Sequence, residues 1–438
     1  MRPARLGPID LAAGVRTGHG VALLFASFTT LGLLTFISIG TPYVLNQSLH
    51  IPLGDQGRVS GNLVFWTEIT QMLTFTLFGV LADRMGRRQV YALGFLAMAL
   101  GYGLYPLAAT TDELTIYRIC YALGVAATTC MLSTVVSDYP QESSRGRMVA
   151  LVGVFNGLGI VVCATLLGKL PKWLADAGTE GGAALRETHY VIAGIAIVSA
   201  LVVGFGLKPG LEVRREDRPS VLHLLGSGFT AMRNPRIALA FSAAFVARGD
   251  LVTLGTFTNL WGQSAAFQHG LSAADAVNKG KIPFIVAQAA SLPWAAIVFF
   301  LIDRFTRVTG LALCMALAAI GYLSMQLVGD PLQPAMIPLF ALLGVGQISA
   351  FFGATALIGQ EAPIAERASV VAMFNLCGAI GILITSKGGG WLFDHVGPAS
   401  PFVMIGMLNL LVLIAAILVR SRSPGAPPRS AAEPAPVG

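Results

Sequence analysis

Four ionisable side chains stand inside long apolar stretches of this sequence: Glu68, Arg118, Arg248 and Asp250. A charge held in hydrocarbon is costly, so residues of this kind face a bundle interior or a water-filled path, find partners there, and mark routes for protons, ions or charged solutes. The two carboxylates have the chemistry of proton carriers, and the two guanidiniums that of counter-ions or of anchors for an anionic solute. Arg248 and Asp250 are two positions apart, about 200° around a helix, so they do not face each other and each needs a partner elsewhere. Glu68 is ten residues inward from Arg58 and Arg248 twelve from Arg236, about 15 and 18 Å along a helix; both reach the middle of a bilayer. Thr67, Thr70, Gln71 and Thr74 repeat around Glu68 at helical spacing, a polar stripe suited to packing or pore lining rather than to a lipid face. Arg118, six residues past Asp112, is either an interface arginine whose head snorkels to water or a functional charge. Asn259, Gln288 and Gln347, with Thr67 and Gln71, are further candidates for substrate contact. His19, His50, His223, His269 and His395 fall in connections and His189 at the border of a span, so no histidine proton relay is expected in mid-membrane.

The elements that must position these groups follow from composition. Of 438 residues, 55% are hydrophobic and 12% charged, with a mean hydropathy of +0.71, which excludes a soluble enzyme, a disordered scaffold and a nucleic-acid binder. Twelve apolar runs predict twelve helices: Val21–Val44, Val59–Leu81, Val90–Ala109, Leu114–Val136, Met148–Gly168, Tyr190–Leu207, Ile237–Trp261, Ile282–Ile302, Val308–Val328, Ala335–Ile358, Ser369–Leu392 and Pro401–Val419. They are numbered helix 1 to helix 12. Each is long enough to cross about 30 Å of hydrocarbon as a helix and too long for a barrel strand. The first run exceeds a signal-peptide core and lacks a small-x-small cleavage site, so it is expected to be retained. Cys120, Cys130, Cys163, Cys314 and Cys377 all lie in apolar runs and are expected as small core residues rather than a disulfide framework.

The basic residues give an orientation. Twenty of the 29 Lys and Arg fall at the N-terminus, in every second connection, in the middle segment and in the tail, against seven in the alternate connections; this places both termini in the cytoplasm. The expected organisation is a cytoplasmic N-terminus over 1–20, six helices over 21–208, a cytoplasmic linker over 209–236, six helices over 237–419, and a disordered cytoplasmic tail over 420–438. Within the linker, Val221 to Leu225 has the pattern of a short helix lying on the membrane surface. The halves repeat at a nearly fixed offset: Asp83-Arg84 matches Asp303-Arg304, Leu123-Gly124-Val125 matches Leu343-Gly344-Val345, and Phe155-Asn156 matches Phe374-Asn375. A duplicated six-helix unit with a central site is a transporter architecture.

One connection carries the sharpest motif. After helix 2 the chain reads Gly79-Val-Leu-Ala-Asp83-Arg84-Met-Gly86-Arg87-Arg88. The first glycine admits a close neighbour, Asp83 can accept from arginine or helix-end amides, Gly86 permits a tight turn, and the arginines anchor the cytoplasmic side. A degenerate copy, Phe299 to Val308, keeps Asp303, Arg304 and Arg307 without the glycines. The GxxxDRxGRR pattern between the second and third of twelve spans resembles the signature of the major facilitator superfamily. Arg118 with Gly124 resembles that family's fourth-helix motif, with Ala122 in place of a glycine, and Gly390 to Phe402 is similar to its turn before the last helix. The resemblance implies an all-α membrane protein with two pseudo-symmetric six-helix bundles rocking around a midplane site, and Asp83 in a cytoplasmic latch. It also implies that helices 2 and 7 approach across the interface, which makes Glu68 and Arg248 a candidate pair.

What is missing narrows the chemistry. No GxxxxGK[ST] loop is present to bind ATP, and no CxxC or HExxH pair to hold a metal, so neither cofactor nor metal is expected and the energy should come from a gradient. Helix 5 lacks the Gly-Pro pair of the family's proton-antiporter signature. The expected function is secondary transport of a small organic solute across the cytoplasmic membrane, coupled to protons through Glu68 or Asp250. The partners are then the solute, protons and the lipid bilayer, with no nucleic acid. An integral-membrane enzyme would need convergent nucleophile or acid/base residues, and a transporter-like receptor a folded output domain; neither feature is visible in the sequence.

Overall fold

The computed structural model describes residues 4–179, 181–209, 229–302, 304–363 and 366–423. Its twelve long apolar helices are helix 1 (Thr17–Gln47), helix 2 (Gln56–Met85), helix 3 (Arg87–Leu104), helix 4 (Thr111–Asp138), helix 5 (Arg145–Leu167), helix 6 (Gly181–Gly206), helix 7 (Pro235–Gln268), helix 8 (Ile282–Ile302), helix 9 (Arg307–Leu323), helix 10 (Ile337–Glu361), helix 11 (Arg367–His395) and helix 12 (Ser400–Arg422). Several outrun the apolar runs that announce them because polar residues cap them beyond the hydrocarbon. The Thr110 hydroxyl accepts from the Glu113 amide at the start of helix 4, and the Asn234 side chain from the Arg236 amide at the start of helix 7. Helix 2 stops at Gly86, whose φ of 96° lies where side chains are disfavoured, and helix 3 begins at the next residue.

Pairing of helices repeats between the halves. Helices 3 and 4, 1 and 5, 3 and 6, and 2 and 4 pack in the first half; helices 9 and 10, 7 and 11, 9 and 12, and 8 and 10 pack in the second. Each pair maps onto its counterpart six helices later, as expected of a duplicated unit. Helix 2 packs on helix 11, helix 5 on helix 8, and helix 1 on helix 7, and these contacts join the halves.

The polar contacts across that seam gather at the end of the bundle away from the termini. The Asp394 carboxylate of helix 11 accepts from the backbone amides of Gly57 (2.8 Å) and Arg58 (2.7 Å) in the first turn of helix 2. Gln263 of helix 7 donates to the Ile39 carbonyl of helix 1 at 2.8 Å. Lys281 donates to the Thr165 carbonyl near the end of helix 5 at 3.0 Å, and Lys172 pairs with Asp275 at 3.2 Å. Gly57 lets the two backbones approach, since a Cβ there would lie 2.5 Å from an Asp394 oxygen and 2.8 Å from the Gly390 carbonyl. Helices 4 and 10, by contrast, pack within their own halves.

The N-terminus departs from a plain leader. Arg5–Leu6 and Ile9–Asp10 form a two-stranded hairpin that docks on the turn between helices 4 and 5. Ala12 donates to the Tyr139 carbonyl (2.8 Å), Gln141 to the Asp10 carbonyl (2.9 Å), and Arg147 to the Pro8 carbonyl (2.5 Å). Ile9, Leu11 and Val15 are buried by this arrangement, so the segment is part of the first half's packing. The proposed surface helix at Val221–Leu225 and the tail from residue 424 lie outside the described residues, as does Asp303.

Candidate functional site

A cavity of about 190 Å³ lies between the halves, walled by helices 1, 2, 4 and 5 on one side and helices 7, 8 and 11 on the other. Most of its lining is apolar, contributed by residues such as Leu34, Val64, Ile160, Leu251, Phe284 and Ile382. Its polar groups are few, as in sites that orient a solute with a small number of placed contacts. Among them are Thr67, Glu68, Gln71, Arg118 and Gln288.

Arg118 is the most enclosed charge on this wall, with 4% of its surface exposed. Its Nε donates to the Thr67 hydroxyl of helix 2 at 2.8 Å and Nη1 to the Thr41 hydroxyl of helix 1 at 3.4 Å. The guanidinium carbon stands 5.3 Å from the centroid of the Tyr121 ring, one turn along helix 4. It therefore does not snorkel to water: its neighbours are hydroxyls, an aromatic face and the cavity. Thr67 in turn donates to the Leu63 carbonyl (2.7 Å), which orients its oxygen lone pairs toward Arg118.

Glu68, next along helix 2, borders the same cavity and accepts from Gln71 at 3.5 Å. Across the interface between halves, Arg248 of helix 7 lies near enough for its charge to be felt. The two are not in ion-pair contact; Arg248 instead donates to the Asn375 amide oxygen of helix 11 at 3.1 Å. Asp250 points elsewhere. It is fully buried inside the second bundle, where neither carboxylate oxygen has a hydrogen-bond partner, while its backbone carbonyl accepts from the Tyr322 hydroxyl of helix 9 at 2.7 Å. The two charges of helix 7 thus have different surroundings, Arg248 on Asn375 of helix 11 and Asp250 in the bundle core.

Of the other candidates, Thr67, Gln71 and Gln288 line the cavity, whereas Asn259 and Gln347 are buried and not among its lining residues. Asn259 spends its amide on the Gly255 carbonyl at 2.7 Å. Sequence reasoning did not single out Ser38, Ser60 and Thr256, which surround Arg118; lone hydroxyls in apolar runs carry no pattern that separates pore lining from helix-backbone bonding. Nor did it single out Asn375 as the partner of Arg248, although the Phe374-Asn375 repeat drew attention to it. His189 lies inside helix 6 and not at its border. It is fully buried, holds the Leu185 carbonyl at 2.9 Å and stacks on Tyr105 with 6.0 Å between ring centroids, a packing role within the first half. His19 belongs to the first turn of helix 1 and not to a connection.

At the end that carries the termini, Gly79, Asp83 and Arg84 occupy the last two turns of helix 2, with Asp83 and Arg84 exposed, and Arg87 and Arg88 open helix 3. Arg87 forms an ion pair with Asp138 at the end of helix 4, tying the start of helix 3 to it. In the second half, Arg304 follows helix 8 and Arg307 begins helix 9, where its Nη1 reaches the Ile302 carbonyl at 3.5 Å. Among the described residues no group of three or more His, Cys, Asp or Glu side chains converges.

Comparison with known proteins agrees with this architecture. The sequence matches the Major Facilitator Superfamily over residues 23–300 and 281–437. It is similar to the magnetosome protein MamH of Paramagnetospirillum magneticum, with 26% identity over 94% of each chain. It is also similar to MamZ of the same organism, with 26% identity over 90% of this chain and 61% of that one, so that it spans about three fifths of MamZ. Among solved structures, the nucleoside transporter NupG superimposes with a TM-score of 0.70 at 15% identity, covering 91% of this chain and 98% of NupG. A bacterial homolog of the human lysosomal transporter Spinster, in an inward-facing and unoccupied conformation, gives 0.62 at 16% identity over 92% and 95% of the two chains.

Proposed function

The chain belongs to the major facilitator superfamily, and from that membership we propose that it carries a small organic solute by alternating access, coupled to protons through Glu68. It is a multi-pass membrane protein and a secondary transporter; the solute, the coupling ion and the membrane are what the proposal adds. The observation that carries it is the position of Glu68 on the cavity wall of one half, with the charge of Arg248 nearby on the other half. Rocking of the halves changes the distance between these charges. Protonation of Glu68 therefore biases the equilibrium between states, which is what coupling requires. Asp250 lacks this geometry, because it is buried within one bundle whose internal packing rocking leaves intact.

The bias of arginine and lysine along the sequence supports an orientation with both termini in the cytoplasm, and the membrane we propose is the cytoplasmic one. The seam closed by Asp394, Gln263 and Lys281 then faces outward. Asp83 and the arginines after helix 2 belong to the latch that holds the opposite state.

The test uses proteoliposomes loaded with a pH-sensitive dye and challenged with organic acids, sugars, amino acids and cationic drugs. Wild type should move protons with at least one class. Glu68→Gln should lose that flux yet retain exchange of the same solute, because a neutral side chain mimics one protonation state and cannot cycle. Solute-driven proton movement that survives Glu68→Gln would remove Glu68 from the coupling path.

A further inference from the structure

Arg118 is a buried cation. Among the described residues no carboxylate comes within ion-pair distance of it. Glu68, on the same wall, forms no ion pair with it. Elsewhere in this chain arginines at helix ends are matched, Arg87 by Asp138 and Arg236 by Glu361 at 3.0 Å. A guanidinium held in a bilayer interior by two hydroxyls and an aromatic ring remains a net positive charge in a poor solvent, and such a charge calls for an anion.

The surroundings are built to receive one. Beside Arg118, at the closed end of the main cavity, lies a void of about 10 Å³ bordered by Ser38, Thr41, Ser60 and Thr256, room for one small polar group. The Ser60 hydroxyl is 2% exposed and has no hydrogen-bond partner, so it is a donor without an acceptor. Thr256 comes from helix 7, so the void is shared by both halves. Arg118 borders both spaces. With Nε spent on Thr67 and one Nη1 hydrogen on the long contact to Thr41, Nη2 and the second Nη1 hydrogen are left for an acceptor.

We infer that the solute is an organic monocarboxylate whose carboxylate docks on Arg118 and Ser60 while its apolar body fills the main cavity. The inference rests on the transporter reading and names its substrate class. One guanidinium balances one negative charge. Inorganic phosphate, with ≈ −1.5 to −2 at neutral pH for a comparable phosphate group, would be under-compensated, and the apolar walls offer it nothing. A halide would fit the small void but leave the apolar cavity unused.

The experiment measures melting of the full-length protein in detergent against acetate, isovalerate, benzoate and phenylacetate, each beside its amide, with phosphate and chloride as inorganic arms. At least one carboxylate should raise the melting temperature while its amide does not. Arg118→Gln should abolish the shift and Arg118→Lys should weaken it. Ser60→Ala removes an unpaired hydroxyl, so it should fold as wild type does, and the Kd for that carboxylate should rise about tenfold, the loss of one hydrogen bond to a charged group. This variant keeps the test open if Arg118→Gln does not fold. No response to any of the four carboxylates, an equal response to the amides, or a response confined to phosphate or chloride would overturn the inference. Arg118-dependent binding with no transport in proteoliposomes would instead refute the transporter reading and leave the binding site standing. Proton-coupled movement of neutral solutes alone would do the reverse.

Discussion

Replacing Asp394 with Asn should loosen the closed end of the molecule by an amount that its geometry fixes. The carboxylate accepts two backbone amides, from Gly57 at 2.8 Å and Arg58 at 2.7 Å, and it sits at the N-terminus of helix 2, where a negative charge is favoured. Hydrogen bonds to a charged group contribute about 1.5–3 kcal/mol each. The Asn side chain keeps one acceptor oxygen, so the substitution forfeits one bond and the charge; for this half-buried site that is about 2 kcal/mol. Because the contact joins the two halves, the loss falls on the closed state alone and should shift the ratio of closed to open about 30-fold. Spin labels at Ala109 and Leu327, in a background without Cys120, Cys130, Cys163, Cys314 and Cys377, would report the separation of the halves at that end by double electron–electron resonance. A longer-distance population should grow in Asp394→Asn. Gly57→Ala should produce the same growth by wedging a methyl against Asp394 and Gly390. A distance distribution unchanged in both variants would show that the seam is held by something other than this cap.

Other outcomes test other parts of the argument. Asp83→Asn should slow turnover without impairing membrane insertion, read as initial transport rate against protein amount in the membrane, and wild-type rates would remove Asp83 from the latch. Arg248→Gln should lower the melting temperature by leaving Glu68 without the nearby Arg248 charge, and Glu68→Gln/Arg248→Gln should recover part of the loss, since removing both members of a pair is milder than removing one; additive losses would mean that the two charges are not coupled. Gly86→Ala should destabilise the protein by about 1–3 kcal/mol, because its φ of 96° with ψ of 145° is a conformation that side chains resist; an unchanged melting temperature would mean that the turn relaxes freely.

The twelve helices were legible because each must satisfy its own backbone in lipid, which writes the fold into runs of apolar residues separated by basic or glycine-rich turns. The repeat of Asp83-Arg84 and Phe155-Asn156 in the second half anticipated the six-helix offset seen in the packing. The cavity was legible only in part. Glu68 and Arg118 stood out as charges against an apolar background, but whether a charge faces a cavity or a bundle core depends on an angle that two residues of sequence cannot set. Asp250 illustrates this, being buried in a bundle core although Leu251 beside it lines the cavity. Hydroxyls such as Ser38, Ser60 and Thr256 gave no signal, because serine and threonine in an apolar helix commonly bond their own backbone. The contact of Asp394 with helix 2 spans more than three hundred residues, and only the close approach of two backbones at Gly57 and Gly390 makes it possible.

That seam also constrains what must happen at the other end. Asp394 on the start of helix 2, Lys281 on the end of helix 5, and the Lys172–Asp275 pair each place a charge of one half against a helix end or a charge of the other. All of them break when the halves rock, and together they are worth several kcal/mol on the scale of charged hydrogen bonds. A transporter cycles only if its two states lie within a few kcal/mol of each other. The state that opens this seam therefore needs compensating contacts of similar strength at the end bearing the termini. The exposed Asp83 and the arginines that follow it are among the charged groups that the fold places there on the first half, and Arg304 and Arg307 are among those on the second. The latch proposed for Asp83 would supply such contacts. Asp83→Asn and Asp394→Asn should accordingly move the distance between the Ala109 and Leu327 labels in opposite directions, and the double variant should restore the wild-type distribution.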